Sequence, residues 1–141
     1  MRDAVWQLLN GDATLAALGG RGFTAIPESS ADQRPDADAF IVICWGTVEF
    51  SEAILANAGH NFDLYIHIPM SVSTDYVRVD NLIDRCDELF TAVAEGPAVT
   101  GADGWTLGHV ELRGRGPDFT DDDYHTICRQ ASYVALGAKN V

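Results

Sequence analysis

Lysine is nearly absent from this chain: Lys139 stands alone beside eight arginines, and the nine bases together face 21 acids for a formal charge of −12. Such a balance disfavours a protein that reads nucleic-acid sequence, which needs cations to displace phosphate counterions. It leaves room for a protein that passes close to DNA without sticking to it. Cysteine is also scarce, and Cys44, Cys86 and Cys128 are far apart with no CxxC pair. Each sits in an apolar or alternating segment, so they are expected to be small buried thiols, and neither metal ligands nor nucleophiles. No run reaches the ~18 apolar residues of a membrane span, and Asp3 and Asp12 make the N-terminal segment unlike a signal peptide. A soluble, intracellular product of one domain, residues 1–141, is the expectation.

Catalytic signatures are missing as well. Ser51 lies in no GxSxG elbow, and Gly19-Gly20-Arg21-Gly22 is followed by no GK[ST]. His60 and His67 share a strand at an odd separation that points them to opposite faces. His109 and His125 lie on two segments that can pair and so bring them together. Asp118, Asp121, Asp122 and Asp123 resemble a cation loop but lack the D-x-D-x-D-G spacing of an EF-hand, and a solvated loop is their ordinary meaning. Catalytic, cofactor and metal residues are therefore expected to be none.

What the chain does have is one long helical period. From Thr74 to Glu95, Val79, Leu82, Ile83, Cys86, Leu89, Phe90 and Val93 form a single stripe. Ser73 or Asp75 can cap its start, and Gly96-Pro97 ends it, with Gly96 able to turn left-handed. The opposite face carries Asp80, Asp84, Asp87 and Glu88 with little arginine nearby in sequence. The first ten residues read as a short amphipathic helix, and Asp12 can cap a second, Ala13 to Leu18, ended by Gly19 and Gly20. Arg21 to Asp38 reads as largely irregular, with Phe23, Ala25 and Ile26 able to form one edge strand before Pro27.

Ala39 to Phe50 and Asn61 to Ile68 read as strands, the first apolar on both faces at its start, the second alternating cleanly. Ser51 to His60 is expected to be an excursion between them. Trp105 to Leu112 and Tyr124 to Leu136 give two more strands, with Arg113 to Asp123 as a loop rich in Gly, Pro and Asp. The predicted fold is α+β: an antiparallel or mixed sheet of about four strands, with the long helix and the short N-terminal helices on one face. Val79, Leu82, Cys86, Leu89 and Phe90 are expected to pack on Val42, Cys44, Leu64 and Ile66, while Tyr65, His67 and Trp45 form an outer face suited to protein contacts.

Three stretches together resemble the tail terminator, or tail-completion, proteins of long-tailed bacteriophages. Val5 to Leu18 is similar to the family's opening pair of short helices before a glycine turn. Pro35 to Val42 is similar to its charged, proline-containing approach to the first long strand, and Asp121-Asp122-Asp123-Tyr124-His125-Thr126-Ile127-Cys128-Arg129 to the acidic loop and Tyr-His entry into its final strand. The resemblance implies a virion protein, assembled in the cytoplasm of a bacterial host, that forms a homo-oligomeric ring, a hexamer, on the tail tube. It would stop tube polymerisation, meet the head-side neck or connector protein, and let genomic DNA pass without specific binding, with no membrane and no cofactor involved. Tyr65, His67, Arg113, Arg115, Asp121, Asp122 and Asp123 are the candidate interface residues. A head-tail connector or head-completion protein of the same virion is the alternative. From another class, a small α+β enzyme or ligand-binding domain would turn Asp63, Tyr65 and His67 into a cavity wall.

Overall fold

The computed structural model describes residues 1–50 and 57–139. The long stripe forms α3, Tyr76–Ala92, continued by a 3-10 turn, Val93–Glu95. Asp75 is its N-cap, accepting from the Val77 amide. Its stop differs from expectation: Gly96 has φ −106 and ψ −174, ordinary extended backbone, because the tightened last turn already closes the helix. Two short helices precede it, α1 (Arg2–Asn10) and α2 (Ala13–Gly19). Among the described residues no helix is long and apolar enough to cross a membrane.

The expected sheet of about four strands is wrong. Among the described residues seven strands form one mixed, curled sheet: β1 (Thr24–Pro27), β2 (Phe40–Phe50), β3 (Asn57–Pro69), β4 (Val99–Thr100), β5 (Trp105–Arg115), β6 (Phe119–Asp121) and β7 (Thr126–Lys139). The order is β1-β2-β3-β7-β5-β4, and β6 pairs with β7. β1 runs parallel to β2; every other pairing is antiparallel. Two strands escape the sequence pattern, β4 and β6, which have two and three residues, too few to show a period, and lie in segments whose Gly, Pro and Asp content reads as loop; β1 forms where one edge strand is expected. Arg113 to Asp123 is accordingly not a loop throughout, since it closes β5 and contains β6. Of the excursion between β2 and β3, residues 57–60 belong to β3 and residues 51–56 lie outside the described residues.

Register decides which side chains face the helices. Ile41 pairs with Ile66, Ile43 with Leu64 and Trp45 with Phe62, and these join Val79, Leu82, Ile83, Cys86 and Phe90 in the core. Val42 and Cys44 therefore point away from α3, which corrects their expected packing beneath it. Trp45 likewise belongs to the helix side, its ring 4.9 Å from Phe62, and not to the outer face. Leu89 is only half-buried.

The acids of α3 are not idle surface charge. Arg115 donates to Asp84 and Asp87, Arg129 to Asp80, and the Tyr133 hydroxyl to Asp87. Strand arginines thus reach across the layer and tie the helix to β5 and β7. At the other end, Asp12 caps α2 through the Leu15 amide and takes two hydrogen bonds, 2.9 and 2.8 Å, from the Arg85 guanidinium on α3. That guanidinium, first, and the amide hold the Asp12 carboxyl below its ordinary range. Asp12→Ala removes the cap and the bridge together and is expected to cost about 2 kcal/mol, read as a lower urea midpoint with an unchanged slope.

Candidate functional site on the open face of the sheet

The face of the sheet turned away from α3 carries a cavity of 290 Å³. Alternation along β2 and β3 supplies its floor: Val42 and Cys44 from one strand, Tyr65 and His67 from the other, matched by the pairing of Val42 with Tyr65 and Phe40 with His67. Glu28, which opens the 3-10 turn Glu28–Gln33, stands on one side. Phe119 and Asp121 of β6, with Asp123 and Tyr124 of the following turn, stand on the other. Asp121 accepts from the Tyr124 amide at 3.0 Å, which fixes that turn, and the Arg34 guanidinium lies 4.2 Å from the Tyr124 ring centroid.

His67 is the most constrained member. It is 3% exposed, stacked on Phe40 at 4.8 Å and flanked by Tyr124 at 5.1 Å. Its Nδ1 lies 2.7 Å from Thr126 Oγ1 and its Nε2 3.7 Å from Cys128 Sγ. Burial lowers its pKa to about 4; Asp121 opposes this and Arg34 adds to it. Burial and then Glu28 push the Cys44 thiol up to about 11, and burial pushes Cys128 up to about 12. Neither thiol has the lowered pKa of a reactive nucleophile, and both His67 nitrogens are engaged within the fold.

Four of the seven candidate interface residues, Tyr65, His67, Asp121 and Asp123, meet at this cavity. Asp122 is exposed on the adjoining turn. Arg113 lies elsewhere, paired with Glu111 at 3.0 Å on β5. Arg115 is on the helix side, held by Asp84 and Asp87. Sequence reasoning missed Glu28, Cys44 and Tyr124 as neighbours of Tyr65; the even spacing of Val42 and Cys44 is a signal for the last strand face, but only the β2–β3 register gives it meaning.

His109 and His125 do not approach one another, because His109 pairs with Leu136 near the end of β7 while His125 precedes its start. His60 and His67 do face opposite sides, His60 lying against Trp45 and Trp105. Asp121 is committed to its turn, and Asp118 lies 3.7 Å from the Arg129 guanidinium. Among the described residues no group of three or more His, Cys, Asp or Glu is arranged to hold a metal ion.

No protein family and no curated protein matches the chain. Among solved structures, a chain described as the virion of a native gene transfer agent particle is similar at 16% identity, covering 98% of this chain and 94% of that chain, with a TM-score of 0.70. A second solved chain is similar at 10% identity over 99% of this chain and 94% of its own, with a TM-score of 0.61. At such identities the likeness establishes a shared fold.

Proposed function

We propose that this chain is a structural virion protein of the tail-terminator kind: a single domain that forms a homo-oligomeric ring, a hexamer, on the end of the tail tube. The observation that supports this most is the similarity, over nearly the whole of both chains, to a component of a gene transfer agent virion. The reading agrees with the family resemblance of Val5 to Leu18, Pro35 to Val42 and Asp121 to Arg129. In it the protein stops tube growth, presents a surface to the head-side neck or connector protein, and lets DNA through a ring whose surplus of acids discourages phosphate contacts. Its place is the virion, at the junction of tail and neck, and it performs no catalysis.

Mixing the protein with purified tail tubes and imaging them by electron microscopy tests the proposal. Rings capping one end of each tube are expected; tubes that stay bare at every protein concentration would sink it. Binding to head portals in place of tube ends would favour the head-completion alternative. The open-face cavity is the one observation favouring a ligand-binding reading, and a small molecule retained through purification and lost in a Tyr65→Ala variant would support that instead.

A further inference from the structure

Two strands of the sheet are longer than the edge strands that cover them. β1 pairs with β2 only over Phe40 to Ile43, and β4 pairs with β5 only at Thr106 and Leu107. Among the described residues, then, one edge of β2 from Cys44 to Phe50 and one edge of β5 from Gly108 to Arg115 have no strand beside them. Most of both stretches is exposed. Open edges of this length are ready templates for another strand.

The two edges are matched. Trp45 pairs with Phe62, Phe62 with Tyr133, and Tyr133 with Leu112; Glu49 connects in the same way through Gly59 and Leu136 to His109. Both edges thus lie level across the sheet, and three antiparallel pairings between them make β2 and β5 run in opposite directions. A copy of β5 can therefore be laid antiparallel against β2 without sliding along it.

Their side chains fit as well. Val48, Phe50 and Leu112 are 39%, 48% and 47% exposed and lie on these two edges, so that a strand laid there covers them. Just past the end of β1, a cavity of 280 Å³ opens beside the free edge of β2, lined by Arg2, Asp3, Trp6, Pro27, Ile43 and Trp45, with the Arg2 guanidinium 5.7 Å from the Trp45 ring centroid. Leu112 is level with Trp45, and both belong to residue rows on the helix side, so an incoming Leu112 lands in that cavity. Glu49, the only charged residue of the β2 edge, comes level with His109 of the incoming strand, while the exposed Arg113, next to Leu112, comes level with the Cys44–Trp45 end.

We propose that the free edge of β2 is completed by the β5 edge of a second copy, with Leu112 of one copy seated against Trp6 and Trp45 of the next. This rests on the ring proposed above and says how its subunits join. One patch meets a different patch, so the contact repeats from copy to copy and closes when the rotation allows. Main-chain hydrogen bonds supply attachment, while the seated leucine sets register. Arg113 is then an interface residue, whereas Arg115, held by α3, is not.

The test is a disulfide trap across the predicted seam, Glu49→Cys with His109→Cys in a Cys44→Ser background, oxidised alone and on tail tubes and run on a denaturing gel. A ladder ending in one closed species is expected, with neither single cysteine variant giving it. Leu112→Arg, at an exposed position, should leave circular dichroism and melting unchanged while raising the concentration needed for assembly more than tenfold; Val77→Arg, at a still more exposed position on α3, should not raise it. If unmodified protein forms rings but the trap gives no ladder and Leu112→Arg assembles normally, the edge pairing is wrong and the ring stands. If the protein neither self-associates nor caps tubes, both fall. A trapped link to the tube protein in place of a second copy also overturns the pairing.

Discussion

Phe90→Ala is expected to destabilise the chain by about 3–5 kcal/mol, seen as a large drop in urea midpoint. Phe90 is completely buried, its ring centroid 5.6 Å from Phe62 and 4.8 Å from Tyr133, both near edge-on. It is the point where α3 meets β3 and β7 together. Truncation opens a void among rings that cannot collapse, because Phe62 is stacked on Tyr133 and the Tyr133 hydroxyl is fixed on Asp87 at 2.7 Å. Lost edge-to-face contacts add to the transfer and cavity costs, roughly 0.5–1.5 kcal/mol per pair. Leu89→Ala, one residue earlier, should cost only about 1 kcal/mol, below the full-burial range of about 2–5. Leu89 is half-buried at a surface groove beside Leu8 and Val99. Equal losses at the two positions would mean that the helix is rotated from the orientation described.

That contrast also marks how far the sequence can be read. The stripe of α3 is long enough for its period to be unmistakable, yet Leu89 and Phe90 are adjacent and the period alone does not rank them. β2 shows the same limit more sharply: Ile41, Val42, Ile43 and Cys44 are apolar on both faces, and only pairing with β3 decides that the isoleucines face the helices. The acids of α3 look unpaired in sequence because their partners, Arg115 and Arg129, come from strands that follow much later. β1, β4 and β6 are too short to carry a period. Within the candidate site, Tyr65 and His67 are legible because β3 alternates cleanly, whereas Glu28 and Tyr124 arrive from irregular segments that no spacing rule connects to it. The free edges of β2 and β5 are invisible before the register is known.

Acidification should weaken the fold well before the carboxylates titrate, and His67 is the reason. In the unfolded chain an imidazole takes up a proton near pH 6.5; in the fold His67 does so only at about 4, because burial between Phe40 and Tyr124 disfavours the charge. A second proton on the ring would leave Nδ1 and Nε2 both as donors, facing a hydroxyl and a thiol with no carboxylate in hydrogen-bond contact. Asp121 is the acid that favours protonation and Arg34 the base that opposes it, and neither overcomes desolvation. The sign follows from linkage: the unfolded state binds the proton more tightly, so stability from this group is fully present above pH 6.5, falls between 6.5 and about 4, and levels off below. The loss is on the order of 3 kcal/mol. His60, also lowered chiefly by burial, acts in the same direction. Asp12 and Asp103 have pKa values below the ordinary carboxylate value, so their losses fall in a more acidic window. Urea midpoints measured from pH 7.5 to 4 should therefore decline steadily, and a His67→Phe variant, though less stable at neutral pH because Thr126 loses its partner, should decline much less. A His67 ring that titrates near 6.5 by NMR, or a variant whose pH dependence matches the parent, would remove the buried histidine as the cause.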